Sequence, residues 1–209
     1  MKMSCLKTHK ILFLLVLSFI SINFQCNKNL NCRETVYSFE SGIKAYPDQD
    51  SINIGDTLWL EVNQTVNLKD LQTNETVNYS NASNFGTALS FAQLMSVDST
   101  NDKVASKFRY VLIYGNEIQR EDKIKYREYN FYELNGYYRF KLGLIPNEKG
   151  IFKLFISNSN NVLRTNDNCT KANFQIDFID TDQHFYLNKV SFPDVNLSGK
   201  NGVYLFKVK

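Results

Sequence analysis

The stretch that decides the fold is residues 137–156, Tyr-Tyr-Arg-Phe-Lys-Leu-Gly-Leu-Ile-Pro-Asn-Glu-Lys-Gly-Ile-Phe-Lys-Leu-Phe-Ile. Apolar and polar residues alternate through it, with a break at the turn-forming run 146–150. Successive side chains of a strand point to opposite faces, so this period of two predicts two strands that each bury one face. The residues assigned to the buried faces are Tyr138, Phe140, Leu142, Leu144, Phe152, Leu154 and Ile156.

The same period of two extends along the chain in both directions from this stretch. Clusters of Asn, Asp, Gly and Ser separate the alternating segments, and no sustained helical pattern appears; the segment 88–95 fits either a helix or a strand. The sequence therefore predicts an all-β protein. The predicted strands number about ten and lie near 35–39, 57–62, 66–71, 108–114, 126–132, 137–145, 151–156, 173–178, 185–189 and 203–208.

Two turns predict how neighbouring strands connect. Asn135-Gly136 lies between Tyr132 and Tyr137, and this residue pair tolerates the positive φ angles of a tight hairpin turn. The run 146–150 is predicted to close the next hairpin. We therefore expect residues 126–157 to form an antiparallel meander.

A second layer must cover the apolar faces, and the strands are short, so two packed sheets are favoured over an open sheet or a barrel. The segment 55–60, Gly-Asp-Thr-Leu-Trp-Leu, resembles the entry of Ig-like domains in bacterial surface proteins. The segment 149–152, Lys-Gly-Ile-Phe, resembles their turn into a late strand. The resemblance implies an Ig-like antiparallel β-sandwich, with 66–84 as the candidate for an inserted hairpin region.

The length of the chain leaves its domain count open. An Ig-like domain needs about 100 residues, whereas 183 residues follow Cys26. The surplus is either the inserted hairpin region or a second small β-domain after Cys169. Because no proline- or glycine-rich linker marks a boundary, we predict one elaborated domain over 32–209.

The first 25 residues have the features of an export signal. Three lysines precede an uncharged apolar run of 12 residues, 11–22. A permanent transmembrane helix needs about 20 such residues, so a cleaved signal peptide over 1–25 is favoured.

A cysteine, Cys26, follows the apolar run closely, and no small-x-small cleavage site precedes it. Bacterial lipoproteins carry a cysteine directly after the signal, and the resemblance implies that Cys26 is acylated and that 26–31 is a short tether. The whole chain also resembles a group of uncharacterised bacterial lipoproteins of this size, which implies no known activity. The predicted location is the bacterial cell envelope, with the lipid in the outer membrane. A secreted soluble protein is the alternative.

The cysteine count predicts one disulfide. Cys5 leaves with the signal and Cys26 takes the lipid, so Cys32 and Cys169 remain as a pair in an oxidising compartment. The alternatives are a Cys26–Cys32 bond or free thiols. If Cys32 and Cys169 bond, the strands that follow them must start at the same end of the fold, and a parallel pairing or a facing position satisfies this condition.

The charge balance gives no reason to expect nucleic acid as a partner. The formal charge is +3, and Lys2, Lys7 and Lys10 supply all of it. Without the signal, 21 basic residues face 21 acidic ones. A nucleic-acid interface needs a net basic surface; the expected partners are a membrane, through the lipid anchor, and an envelope protein or glycan.

The sequence assigns no catalytic residue, cofactor or metal. After residue 25 the one histidine is His184, and no Gly-x-Ser-x-Gly motif accompanies it, so a structural histidine is favoured over a catalytic base. The cysteines are too dispersed for zinc. Calcium ligands are conceivable at Asp48-x-Asp50 with Asp56 or at Asp180-x-Asp182, but such aspartates are more often turn residues.

The abundance of aromatic residues suggests one binding mode. The chain has 16 Phe, 12 Tyr and one Trp, and aromatic side chains on one outer sheet face could stack against sugar rings. The candidate platform is Trp59, Tyr129, Tyr137 and Tyr138. Glycoside cleavage needs a pair of carboxylates, and the sequence does not single out a pair among Glu61, Glu117, Glu128 and Glu133. The favoured function is a non-catalytic envelope module. A carbohydrate-binding module is the alternative, and a secreted hydrolase is the least favoured of the three.

Overall fold

The computed structural model describes residues 32–94, 101–121, 125–190 and 201–209. The predicted signal peptide, the tether and Cys26 lie outside these residues. Sixteen strands form here: β1 (Thr35–Tyr46), β2 (Ser51–Ile52), β3 (Leu58–Thr65), β4 (Asn67–Lys69), β5 (Thr76–Asn78), β6 (Ala82–Ser83), β7 (Gly86–Leu94), β8 (Phe108–Tyr114), β9 (Asn116–Ile118), β10 (Tyr126–Asn130), β11 (Tyr132–Leu134), β12 (Tyr137–Pro146), β13 (Gly150–Ile156), β14 (Ser159–Arg164), β15 (Asp167–Phe178) and β16 (Val203–Val208). Two 3-10 helices, Asn101–Lys107 and Phe185–Val190, accompany them.

The strands form two large sheets and one small hairpin. The eight-stranded sheet has the order β11-β12-β3-β1-β15-β14-β6, and β8 also pairs with β12. The six-stranded sheet has the order β2-β16-β13-β7-β10-β9. The β4–β5 hairpin forms a separate two-stranded ladder, within the region where the sequence predicts an inserted hairpin.

The inner faces of the two sheets share one hydrophobic core, because the alternating residues of both belong to the same buried cluster. Phe140, Leu142 and Leu144 of β12 are fully buried, as are Phe152 and Leu154 of β13. Aromatic rings contact one another between the sheets: Phe108 of β8 lies 4.9 Å from Phe152 of β13 and 4.7 Å from Phe91 of β7, between ring centroids. The predicted inner faces of these strands are therefore confirmed.

The all-β prediction is confirmed, but the number and direction of the strands differ from expectation. Sixteen strands replace about ten because many are too short for an alternating pattern to show; β2 and β6 have two residues each. Each large sheet is mixed rather than antiparallel, since β1 pairs with β15 in parallel and β2 pairs with β16 in parallel.

The predicted meander over 126–157 is wrong. The Asn135-Gly136 turn does close a hairpin, with φ of 52° and 75°, and it joins β11 to β12. The run 146–150, however, carries the chain from the eight-stranded sheet to the six-stranded sheet. Strands β3, β8 and β11 already occupy both edges of β12, so β13 pairs with β7 and β16 instead.

The strand predicted at 185–189 is also wrong, because this segment is the 3-10 helix Phe185–Val190. Leu187 packs with Leu94, Val203 and Leu205 in a second small apolar cluster. These side chains lie on the side of the six-stranded sheet opposite the main core, which is why β16 is buried on both faces. A short apolar segment satisfies either a strand or a helix that covers a sheet, and only tertiary packing decides between them.

The predicted disulfide is present between Cys32 and Cys169. The ladder between β1 and β15 begins directly after it, at Thr35 and Thr170, and its strands run in the same direction. The expected arrangement, in which both strands start at the same end, is confirmed. Cys32 is exposed and Cys169 is half-buried.

Candidate functional site

The outer face of the eight-stranded sheet carries an unusual density of aromatic side chains. Because alternate residues of a strand point to opposite sides, the residues between the buried positions of β12, β3 and β1 point outward, and β8 and β11 continue the surface at the β12 edge. We call this surface the aromatic face. Its rings are Tyr46, Trp59, Tyr114, Tyr132 and Tyr137. Tyr114, Tyr132 and Tyr137 are between 39% and 46% exposed.

The indole of Trp59 lies against Gly143 of the neighbouring strand β12. Trp59 pairs with Gly143 of β12 on one side and with Tyr46 of β1 on the other. A Cβ atom added to Gly143 would lie 3.0 Å from Cζ3 of Trp59, closer than ordinary packing allows. The absence of a side chain at Gly143 therefore lets the indole lie against the strand.

Polar groups surround the indole. The hydroxyl of Tyr46 donates to Oε2 of Glu61 at 2.7 Å, and Nζ of Lys141 lies 3.8 Å from the same oxygen. Nζ of Lys141 is also 5.3 Å from the ring centroid of Trp59 and 5.4 Å from that of Tyr46. Burial raises the pKa of Tyr46, and hydrogen bonding to Tyr46 raises the pKa of Lys141, so both groups stay protonated at neutral pH.

Arg139 is the second cation of the face. It lies opposite Asn63 of β3 and Tyr132 of β11, and its guanidinium carbon is 5.9 Å from the ring centroid of Tyr114. Its Nε atom is buried and has no hydrogen-bond partner among the residues that the structure describes. Arg139 is thus placed by strand register and aromatic contact rather than by a carboxylate.

Two of the four predicted platform residues lie on the aromatic face and two do not. Trp59 and Tyr137 point outward, whereas Tyr129 and Tyr138 are each 1% exposed and belong to the core. The hydroxyl of Tyr138 donates to the carbonyl of Tyr79, and the ring of Tyr129 packs 5.5 Å from that of Phe140. The platform as predicted is corrected accordingly: Tyr129 sits on β10 in the other sheet, and Tyr138 takes the inward position of its strand.

Tyr46, Tyr114 and Tyr132 were not predicted as members of the face. Tyr132 had a usable signal, because a two-residue turn at 135–136 places Leu134 opposite Tyr137 and Tyr132 opposite Arg139. Tyr46 and Tyr114 join the face only through pairings between distant parts of the chain, β1 with β3 and β8 with β12.

Each of the four candidate carboxylates has a partner within the described structure. Oε1 of Glu117 is 2.7 Å from Nη1 of Arg127, and Oε2 of Glu128 is 2.8 Å from Nη2 of Arg120. Oε2 of Glu133 accepts from the backbone of Asn81 at 2.6 Å. Glu61 lies on the aromatic face with Tyr46 and Lys141.

A shallow depression of about 190 Å³ opens on the surface beside the six-stranded sheet. Its side chains are mostly amides and hydroxyls, including Asn84, Asn130, Ser157 and Asn160, with Glu128 as a charged group. Ser157 accepts from the hydroxyl of Thr87 at 2.8 Å through its carbonyl, which closes part of the floor. Its volume is below the 300 Å³ or so at which small-molecule sites usually begin.

His184 is buried, at 6% exposure, and lies between two aspartates. Its Nε2 is 3.6 Å from Oδ1 of Asp48, and its Nδ1 is 3.5 Å from Oδ2 of Asp182. The backbone N–H of Asp182 donates to the Asp48 carboxylate, and that of His184 donates to Asp182 at 2.9 Å. The hydrogen bond from the Asp182 backbone to the Asp48 carboxylate thus joins the loops that follow β1 and β15, and Nε2 of His184 is buried without a hydrogen-bond partner among the described residues.

The remaining calcium candidates serve as turn and ion-pair residues. Asp56 accepts from the backbone of Asn53 at 2.7 Å, and Asp180 pairs with Lys44 at 2.6 Å. Over the described ranges, no group of three or more His, Cys, Asp or Glu residues is arranged to hold a metal ion. In the same part of the chain, no helix has the length and apolarity needed to cross a membrane.

Comparison with known proteins adds no relative: no protein-family model, curated protein or solved structure matches the chain.

Proposed function

We propose that this protein is a non-catalytic lipoprotein of the bacterial cell envelope, and that it is a binding module whose ligand contacts the aromatic face. The observation that carries the proposal is the exposure of Tyr114, Tyr132 and Tyr137 on the sheet face that also carries Trp59. Exposed aromatic rings tend to lower the solubility of a protein. An exposed apolar surface of this kind is typical of interaction sites.

The envelope location is proposed on the sequence of the first 26 residues. The apolar run 11–22 is the export signal, and Cys26 carries the lipid. Residues 26–31 then form the tether to the β-domain, and the Ig-like relationship is proposed on the resemblance at 55–60 and 149–152. The Cys32–Cys169 disulfide supports export, because such bonds persist in oxidising compartments.

The geometry favours binding over hydrolysis. An inverting or retaining glycosidase needs two carboxylates about 5 to 9.5 Å apart across a cleft. Glu117, Glu128 and Glu133 are instead engaged with Arg127, Arg120 and the Asn81 backbone. The depression near Glu128 is small and open.

Carbohydrate is the ligand class that the aromatic face favours. The outer sheet surface presents Trp59 against Gly143, and the rings of Tyr132 and Tyr114 lie beside Arg139. Rings supply apolar stacking surface, while the tyrosine hydroxyls, Glu61 and Lys141 supply hydrogen-bonding groups for sugar hydroxyls.

Trp59 is the single tryptophan of the chain, and its emission reports a ligand that reaches the part of the aromatic face around Gly143. We expect titration of the full chain, purified in detergent, with a series of soluble oligosaccharides to shift this emission for at least one of them. Calorimetry should then show that Tyr137→Ala weakens binding by about two- to tenfold, the worth of an aromatic contact.

The matched control is Tyr186→Ala, which removes a tyrosine of similar exposure, 50%, from the 3-10 helix on the other sheet. Its binding should equal that of the wild type. Equal losses in the two variants, or no response to any sugar, would contradict the proposal.

A further inference from the structure

The charged groups of the aromatic face lie on three strands. Arg139 and Lys141 of β12 share the outer side with Glu61 of β3, and Lys44 and Glu40 of β1 also point outward. Lys44 is paired with Asp180 at 2.6 Å. Glu61 already accepts the hydroxyl of Tyr46 at 2.7 Å and attracts Lys141 at 3.8 Å. Glu61 and Lys141 are therefore within ion-pair distance of each other, whereas the guanidinium of Arg139 has no carboxylate partner among the described residues.

The surroundings of Arg139 are suited to an anion. Its cross-strand neighbours are Asn63 and Tyr132, both uncharged, and Tyr114 lies beside it. Its Nε is buried and has no hydrogen-bond partner among the described residues. The planar donor pair of a guanidinium matches the two oxygens of a carboxylate.

Tyrosine rings stand close enough to bind the sugar that bears such a carboxylate. Tyr132 pairs directly with Arg139, and Tyr137 is two residues away on the same face of β12. Both rings are more than 40% exposed. An extended chain laid along β12 would therefore meet the ring of Tyr137 and then Arg139, with the ring of Tyr132 beside Arg139 on the neighbouring strand.

We propose that the aromatic face binds an acidic polysaccharide, a chain of sugar rings that carry carboxylates, and that Arg139 receives the carboxylate while Tyr132 and Tyr137 stack against adjacent rings. This inference rests on the proposed function and adds the charge of the ligand to it. Lys141, held over Trp59 and Tyr46, contributes a second, weaker attraction.

The test compares two oligosaccharides with the same rings, oligogalacturonate and its fully methyl-esterified form, which has no charge. Calorimetry on the full chain in detergent should show the acid bound about tenfold or more tightly than the ester, since a charge-assisted hydrogen bond is about twice as strong as a neutral one. Arg139→Gln should reduce the affinity for the acid to that for the ester and leave ester binding unchanged.

Two further variants make the result specific. Lys207→Gln removes an exposed cation of β16 in the other sheet and should leave acid binding unchanged. A loss equal to that of Arg139→Gln would mean general charge attraction and would overturn the inference. Arg139→Lys keeps the charge but loses the planar donor pair, and should bind the acid less tightly than the wild type. It provides a folded variant if Arg139→Gln is unstable.

The outcomes separate the two proposals. Equal binding of acid and ester by the wild type rejects the acidic ligand while carbohydrate binding stands. Failure of both oligosaccharides and of the neutral series rejects both proposals.

Discussion

Thr35 of β1 lies opposite Thr170 of β15, at the start of a parallel ladder that runs to Ile43 and Phe178. The Cys32–Cys169 bond closes three residues before the first of these partners and one residue before the second. Covalent bond and ladder therefore hold the same two segments at the same end. This arrangement makes the disulfide a clamp on a pairing between two distant parts of the chain.

Removal of the disulfide is expected to lower the free energy of unfolding substantially. The bond closes a loop of 136 intervening residues, for which the chain-entropy model gives a contribution of about 4 to 5 kcal/mol. The double variant Cys32→Ser, Cys169→Ser should show this loss in a urea melt of the oxidised protein. An unchanged midpoint in the double variant would contradict the assignment of the bond as a stabilising clamp.

Acylation of Cys26 is expected to account for membrane attachment. Mass spectrometry of the membrane fraction should find a mature chain that begins at Cys26 and carries lipid. Cys26→Ser should move the protein to the soluble exported fraction. An unmodified Cys26, or a wild-type protein found wholly in solution, would contradict the lipoprotein proposal.

Truncation of Phe140 is expected to lower the free energy of unfolding by a large amount. Its side chain is fully buried and lies 5.3 Å from Phe131, between ring centroids. Phe140→Ala removes apolar contacts and leaves a cavity, at a cost of about 3 to 5 kcal/mol. Asn63→Ala, an exposed change on the adjacent strand β3, should cost less than about 0.5 kcal/mol. Similar urea midpoints for the two variants would show that the faces of these strands are wrongly assigned.

Asp70 is expected to make stability depend on pH in acid. This residue is 2% exposed, and its carboxylate accepts from the backbone of Ser38 at 2.9 Å and from the backbone and hydroxyl of Thr73 at 3.0 Å and 2.9 Å. Burial acts to raise the pKa of Asp70, but these hydrogen bonds outweigh it and the pKa is lowered.

A carboxylate with a lowered pKa in the folded state stabilises the protein above its unfolded value of about 3.9, and that contribution is lost as the pH falls through the folded value. Urea melts should therefore show the wild type losing stability below about pH 4 more steeply than Asp70→Asn. Asp56→Asn, in an exposed turn, should follow the wild type. Parallel curves for wild type and Asp70→Asn would contradict the role of the carboxylate.

The alternating pattern predicted the long strands well because burial of one face is a local property of the sequence. Phe108–Tyr114 and Val203–Val208 are predicted to the residue. Partner choice is not local. The turn at 146–150 suits a hairpin, yet it connects two sheets because β12 already has partners on both edges. Likewise, Phe185–Val190 has strand composition but covers a sheet as a helix.

An aromatic surface on an outer sheet face was predicted from the sequence, but only some of its residues were predicted correctly. Periodicity placed Trp59 and Tyr137 on the outer side. It also placed Tyr138 on the inner side of β12, and the structure confirms this assignment over that of Tyr138 to the platform. Tyr129 was assigned to the wrong sheet because the connection from β10 to β11 crosses between sheets. Arg139 drew no attention in the sequence, since its lack of a carboxylate neighbour follows from strand order alone.

The two parallel pairings determine when folding can finish. Strand β1 pairs with β15, and β2 pairs with β16. Neither large sheet can therefore be completed until nearly the whole chain has been synthesised. A chain that emerges N-terminus first leaves the apolar side of β1, including Phe39 and Ile43, without its partner for most of its synthesis. Pairings so distant in sequence form slowly. Late completion of the fold would suit the export proposed above, because a translocation channel requires an unfolded chain.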